Sequence, residues 1–261
     1  MDATLPPRLK ALVRIARAAG IVVMRHYEAG CDTRIKNDRS PVTDADEEAE
    51  KLILAELAAA YPGVPVVAEE EAAAGRIVQA GAHFFLVDPV DGTKEFVKKG
   101  GEFTVNIGEI RNGAPVSGVV LAPAIGRLFV GAVGEGAFEL SDWSVGEGEQ
   151  MKVRTIAART PAADGLVAVS SRSHPDAKTD ALLKTLPIKG NTNAGSSLKF
   201  CLVAAGEADI YPRAGHTMEW DTAAGHAVLA AAGGRMTTWD GAPFVYGKPG
   251  FHNGPFIARG R

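Results

Sequence analysis

Apolar residues recur at helical spacing from the start of the chain. Leu9, Leu12, Val13, Ala16, Gly20, Val23 and Tyr27, after Pro6-Pro7 and before Gly30, predict a helix over residues 7–28. A short extended piece, "CDTRIK", leads to the turn "NDRSP". A second helix then opens at Thr43 or Asp44, with acids in its first turn and Ala49, Leu52, Ile53, Leu57 and Ala60 on one face. Pro62-Gly63 ends it, and "VPVVAEE" reads as a strand running into acids. From 103 to 140 the pattern changes to short β-rich runs, "FTVNIGEI", "PVSGVVLA", "LFVGAVG" and "GAFEL", which predict an antiparallel meander with an Asn112-Gly113 turn. After a polar, Gly-rich stretch near 141–150, strands and helices alternate. "GLVAVSS" and "ADIY" read as strands, "DAKTDALLKTL" and "SSLKFCLVAAG" as helices. "DTAAGHAVLAAAGG" reads as a small-residue helix ending at Gly233-Gly234, and "FIARG" as a last edge strand. The chain is thus α+β over 1–145 and α/β over 146–261, with a seam near residue 145.

Composition narrows the function classes. The 261 residues are 46% hydrophobic and 23% charged, as in a globular protein able to bury a large core. A net charge of −3 gives no electrostatic footprint for nucleic acid or a membrane surface. Arg8, Lys10, Arg14 and Arg17 interrupt the first apolar segment, so it lacks the core of a signal peptide, and no run is long enough to span a membrane. Cys31 and Cys201 form no CxxC, which points to neither a zinc ribbon nor a disulfide scaffold. Two free thiols fit a reducing compartment, and the expected location is the cytoplasm.

The candidate chemistry lies in acids at element ends: Asp46, Glu69, Glu70, Asp88, Asp91 and Asp221. Taken singly they are helix caps, turn formers or a solvated charge run. Together they say more. In "DPVDGT", Pro89 biases Asp88 to an extended backbone, so Asp88 and Asp91 can converge on one point. Converging carboxylates raise one another's pKa unless a cation intervenes, and Mg²⁺ prefers oxygen ligands while keeping water and phosphate in its shell. Gly92 lets backbone amides approach an anion, and Thr93 adds a hydroxyl at a helical turn. The set suggests metal-assisted attack on a phosphate ester.

The ordered motifs "VTDAD" (42–46), "EE" (69–70), "DPVDGT" (88–93) and "WDTAAG" (220–225) resemble the signature of the inositol monophosphatase-like, lithium-sensitive, Mg²⁺-dependent phosphatases. The resemblance implies a layered α/β/α/β/α sandwich with the active site at the seam between halves. It implies that Glu69, Asp88 and the Val90 carbonyl hold one Mg²⁺, that Asp88, Asp91 and Asp221 hold a second, and that Asp46 and Glu70 lie near a third. Asp46 and Thr93 resemble the pair that activates the attacking water, and Gly92 and Thr93 the amides that bind phosphate. The ions would lower the water's pKa, polarise the phosphoryl group and stabilise the leaving alkoxide.

"KEF" after the metal motif, "SSLKFCLVAAGEADIYPR" (196–213) and "EWDTAAGHAVLAAAGG" (219–234) resemble bacterial 3'(2'),5'-bisphosphate nucleotidases of the CysQ type. Such enzymes take adenosine 3',5'-bisphosphate to AMP and phosphate, some also 3'-phosphoadenylyl sulfate, and serve sulfate assimilation. By resemblance Arg172, His174, Ser196, Ser197 and Lys199 line the nucleotide pocket, with Arg213 a further candidate. Alternatively Ser196 caps its helix, Lys199 sits on a solvated face and His174 precedes Pro175 at a helix start. His226, Trp143, Trp239 and Cys201 read as packing, Glu71 as solvated, and Trp220 as packing that aims Asp221. An inositol- or sugar-phosphate phosphatase is the alternative within the same chemistry, and a silent nucleotide- or metal-binding regulator the alternative outside it. Resemblance admits a homodimer, although no interface patch is legible.

Overall fold

The computed structural model describes residues 5–30, 33–35, 41–144, 151–171 and 176–261. Cys31, the turn at 37–40, the polar stretch at 145–150, Arg172 and His174 lie outside the described residues.

The first half is a helix pair on one sheet. Helix α1 (Pro7–Ala29) starts with Pro at its first position, where a missing N–H costs nothing. A short hairpin of β1 (Thr33–Ile35) and β2 (Pro41–Thr43) precedes α2 (Asp44–Ala60). Strand β3 (Val66–Ala68), the one-turn helix α3 (Glu69–Ala73) and β4 (His83–Asp91) follow, then the short α4 (Thr93–Val97). The expected meander is present as β5 (Thr104–Arg111), β6 (Ala114–Ala122), β7 (Arg127–Ala132) and β8 (Gly136–Ser141). Asn112 and Gly113 both take positive φ, 49° and 76°, as a two-residue hairpin turn requires. These strands form a seven-stranded sheet in the order β3-β4-β5-β6-β7-β8-β9, antiparallel except for β3 with β4. Its last member, β9 (Lys152–Ile156), still pairs with β8, so the seam expected near 145 cuts across this sheet.

The second half builds a five-stranded sheet from β10 (Leu166–Ser171), β11 (Ile188–Ala194), β12 (Ile210–Arg213), β14 (Arg235–Thr238) and β16 (Phe256–Arg259). Its order is β11-β10-β12-β16-β14. The "FIARG" strand is therefore interior rather than an edge, because β14 pairs along its outer side and Phe256 and Ala258 are fully buried. Sequence reading missed β14, and also β11, whose alternately exposed Gly, Asn and Thr residues carry no apolar signal. Helices α6 (Leu198–Ala204) and α7 (Ala223–Ala231) lie between the two sheets, while α5 (Ala177–Lys184) covers the far side. With α1 and α2 outside the large sheet, the result is the expected α/β/α/β/α sandwich. No described helix is long and apolar enough to cross a membrane.

Both faces of the large sheet are buried, and its strands alternate accordingly. Phe85, Val87, Val105, Ile107, Val119 and Leu121 pack against α1 and α2, whereas Phe84, Leu86, Ile110 and Val120 join the core beneath α6 and α7. Helix α7 approaches the sheet at backbone contact. A Cβ at Gly118 would lie 2.7 Å from the Ala224 carbonyl oxygen, and one at Gly108 2.7 Å from the Ala223 Cβ. Only glycine fits there, and this closeness ties the second half to the first. Trp143, Trp239, Cys201 and His226 are packing residues, as read. The Trp143 indole donates to the Pro123 carbonyl, Trp239 to that of Phe256, and burial pushes the Cys201 thiol pKa up. His226 lies 3.0 Å from the Tyr246 hydroxyl, and burial lowers its pKa to about 3.

One buried acid braces the outer helix against the sheet. Glu109 on β5 is 1% exposed, and its carboxylate takes Arg8 of α1 at 2.7 Å, Ser117 at 2.6 Å, His83 at 2.9 Å and Arg111 at 3.0 Å. Burial alone would raise its pKa, but the Ser117 and Arg8 hydrogen bonds and the Arg8 charge outweigh it and hold the group at about 2. The folded pKa lies below the ordinary 4.5, so this stabilisation is complete above 4.5 and is lost as pH falls towards 2. Urea unfolding should find Glu109→Gln about 2–3 kcal/mol less stable than wild type at pH 7. The gap should narrow as the pH is lowered from about 5 to 3; a pH-independent gap would contradict this role.

Candidate active site

Asp88 and Asp91 are three residues apart, a spacing that in a regular strand puts side chains on opposite faces. The structure removes the conflict with a bulge. Asp88 lies opposite Asn106 and Asp91 opposite Thr104, so three steps on β4 match two on β5. One extra residue at Pro89-Val90 restores parity and brings both acids to one cavity. Asp88 Oδ1 accepts from the Val90 amide at 3.1 Å, which closes the bulge. Gly92 then turns the chain into α4 with φ +91°, and the Ser196 hydroxyl sits 2.2 Å from where a Cβ would be. Gly92 is required twice over, by conformation and by space.

The other acids arrive from separate elements. Asp46, 1% exposed, is the third residue of α2, and its Oδ2 accepts from the Thr43 amide at 2.8 Å and the Thr43 hydroxyl at 2.6 Å. This capping box leaves Asp46 Oδ1 3.3 Å from the Thr93 hydroxyl, which is also 3.2 Å from the Val90 carbonyl oxygen. The expected Asp46–Thr93 pair is thus assembled across three elements. Asp221 stands in the turn before α7 and accepts from the Met218 amide at 2.8 Å. Glu69 opens α3 and faces the same cavity; Glu70 instead lines a neighbouring groove with Glu47 and Glu50. Glu71, read as solvated, pairs with Arg76 at 2.7 Å.

Glu50 was missed by sequence reading. It is 3% exposed and accepts from the Glu70 and Glu71 amides at 2.8 Å each, capping α3 from a different helix and fixing where Glu69 emerges. Burial raises its pKa to about 7 against the opposing effect of those two amides. The legible signal was its place on the buried face of α2 with Asp46, Ile53 and Leu57, where a charge has to be recruited for something.

Glu69, Asp88, Asp91 and Asp221 line one cleft of about 270 Å³, together with Gly92 and Thr93. Burial, then the charges of Glu69 and Asp91, raise Asp88 well above the carboxylate range; burial, then Asp91 and Glu69, do the same to Asp221. Asp91 is pushed up to about 6 by burial, against the pull of Lys199 and the 2.6 Å bond from the Ser197 amide. Among the described residues no three such side chains already converge as a closed cage, and Asp88, Asp91 and Asp221 each accept from a backbone amide. An all-oxygen donor set whose members raise one another's pKa fits a hard divalent cation, which would relieve that repulsion.

The lining of the cleft also includes cationic and aromatic side chains, Lys199, Arg213, His216 and Tyr211. Lys199 is 2% exposed and donates to the Ser196 carbonyl at 2.6 Å and the Ala194 carbonyl at 3.3 Å, so it shapes the loop as well as lining the cleft. Burial lowers its pKa to about 8. The Ser196 hydroxyl lies 2.8 Å from the Asp91 carbonyl and 2.9 Å from that of Glu102. Ser197 does not reach the cleft: its hydroxyl lies 2.6 Å from Asn106 Oδ1 and 2.9 Å from the Thr104 hydroxyl, and its amide holds Asp91. It supports a site acid rather than touching a ligand, because the start of α6 turns its side chain into the interface with β5. His174 and Arg172 are outside the described residues.

Comparison with known proteins finds relatives over nearly the whole chain. A CysQ 3'(2'),5'-bisphosphate nucleotidase of Escherichia coli (strain K12) is 43% identical over 240 residues, covering 91% of this chain and 93% of that protein. The crystal structure of CysQ from Bacteroides thetaiotaomicron, a bacterial member of the inositol monophosphatase family, matches with a TM-score of 0.82 at 36% identity over 97% of both chains. An IMPase of Thermotoga maritima matches with a TM-score of 0.75 at 25% identity, over 97% of this chain and 92% of that one. The model of the inositol monophosphatase family itself spans residues 5–259. With its fold and nearly its whole length matched, the chain belongs to the inositol monophosphatase family.

Proposed function

We propose that the protein is a Mg²⁺-dependent phosphatase that removes the 3'-phosphate of adenosine 3',5'-bisphosphate, giving AMP and phosphate. 3'-Phosphoadenylyl sulfate would be a second substrate, and the setting cytoplasmic sulfate assimilation. The observation that carries this reading is the lining of the cleft. Beside the carboxylates of Glu69, Asp88, Asp91 and Asp221 it carries the cationic Lys199 and Arg213, which suits a substrate with a reacting phosphate and a second anionic group. An inositol monophosphate has no second phosphate for those cations to neutralise.

Glu69, Asp88, the Val90 carbonyl, Asp91 and Asp221 would hold two Mg²⁺ ions, with a third near Asp46. Bound there, Mg²⁺ supplies charge neutralisation at the phosphoryl oxygens and a water of lowered pKa. The chain's own residues do the positioning. The amides of Gly92 and Thr93, at the start of α4, bind phosphate oxygens. The Thr93 hydroxyl, anchored between Asp46 and the Val90 carbonyl, orients the attacking water, and Asp46 accepts its proton. The bond from water oxygen to phosphorus forms as the bond from phosphorus to ribose O3' breaks, and the leaving oxygen takes a proton from solvent. Arg213 and Lys199 receive the remaining phosphate.

Phosphate release from adenosine 3',5'-bisphosphate should be fast with Mg²⁺ and suppressed by added Li⁺, with little release from inositol 1-phosphate. Release mainly from the inositol ester would keep the chemistry and overturn the substrate. Asp91→Asn and Asp221→Asn should each lower turnover by roughly 100-fold or more. In chelator at pH 7 both variants should melt no lower than wild type, since each removes a desolvated, mutually repelled charge and keeps an oxygen for its backbone amide. Full activity in either variant would sink the assignment of these ligands.

A further inference from the structure

Glu219 stands two residues before Asp221, is fully buried, and does not line the cleft. Its carboxylate Oε2 accepts from the Gly247 amide at 2.8 Å, and Oε1 accepts from the Lys248 amide at 2.9 Å and the Lys248 ammonium at 2.7 Å. Its own amide donates to the Phe251 carbonyl at 2.8 Å, and its carbonyl accepts from the amides of Thr222 at 3.2 Å and Ala223 at 3.0 Å, the start of α7. The preceding residues are gripped as well. β13 (Thr217–Met218) pairs with β15 (His252–Asn253), and the Asn253 side-chain Nδ2 donates to the Met218 carbonyl at 2.7 Å and lies 3.1 Å from the Thr222 hydroxyl. The Met218 amide in turn holds Asp221. The segment from Gly247 to Asn253 thus closes around both ends of the turn that presents Asp221.

A buried carboxylate is costly where apolar packing alone is needed. Here the geometry uses both of its oxygens as acceptors for successive amides, which no neutral side chain of that size can do. A glutamine would keep one acceptor and turn an NH₂ toward an N–H donor. We infer that Glu219 is a positioning residue for Asp221, setting through this turn the place from which Asp221 reaches a divalent cation. The inference rests on the reading of Asp221 as a cation ligand, and it makes Glu219 and the Gly247-Lys248 amides part of the metal affinity without contact to metal or substrate.

The test is calorimetric titration of the full chain with Mn²⁺, with melting temperature and nucleotide KM recorded alongside. Glu219→Gln should weaken Mn²⁺ binding about 10-fold. It should leave KM unchanged at saturating Mg²⁺. Glu109→Gln, also destabilising but on the α1 side of the sheet, should leave Mn²⁺ affinity as in wild type. Wild-type Mn²⁺ affinity in Glu219→Gln, beside lost affinity in Asp221→Asn, would overturn the inference. Undiminished binding in Asp221→Asn would overturn the ligand assignment and the inference with it. Should Glu219→Gln fail to fold, Asn253→Ala, which loosens the same turn from its other side, must weaken Mn²⁺ binding for the inference to stand.

Discussion

The centre of the molecule is governed by the repulsion among carboxylates that share one desolvated space. Asp88, Asp91 and Asp221 each have a pKa raised first by burial, and the Glu69 charge raises all three further, while Lys199 pulls the other way at Asp91 and Arg213 at Asp91 and Asp221. Left to themselves such groups would turn to water or take up protons. They stay because each is attached to something rigid: a bulged strand in the middle of a sheet for Asp88 and Asp91, and a clamped turn for Asp221. The rest of the sandwich supplies the force that holds an unfavourable arrangement in place. This is why so much ordinary packing converges on a cleft of about 270 Å³.

The two halves meet through contacts that leave little slack. Gly108 and Gly118 let α7 lie on the large sheet with backbone against backbone, which fixes the height of the turn before it. Ahead of α6, Gly195, Ser196 and Ser197 latch onto Asp91 and Glu102. The Gly195 amide donates to the Glu102 carboxylate at 2.8 Å, and the Ser197 amide donates to Asp91. The acids are thereby registered by sheet and helix contacts rather than by a hinge, which suits a site whose members come from both ends of the chain.

Much of this was legible in the residues. The helical period of 7–28, the meander after 103, and the four acid motifs each follow a rule that acts over a few neighbours, and short-range rules survive in sequence. What was not legible depends on partners distant along the chain. β11 is a polar strand made by pairing with β10. The interior position of β16 is fixed by the late strand β14, and the bulge at Pro89-Val90 becomes visible only against the register of β5. The same holds in the site. Asp46 and Thr93 could be named from motifs, but Ser197 was assigned to the pocket because sequence cannot say which way a helix start faces. Glu50 and Glu219 escaped because their partners are backbone amides, which leave no trace in the alphabet of side chains.

The interior place of β16 has a consequence for the order in which the protein is made. The seven-stranded sheet is fully synthesised by Ile156, so its half of the acids can be framed while the ribosome is still adding residues. The second sheet cannot close at that stage, because β12 and β14 meet only through Phe256–Arg259, which is translated after both. The clamp on the Asp221 turn also waits, for Gly247 to Asn253. The turn that presents Asp221 is therefore locked only after Gly247 to Asn253 have been added, and a chain stopped before them presents Asp88 and Asp91 without a clamped Asp221.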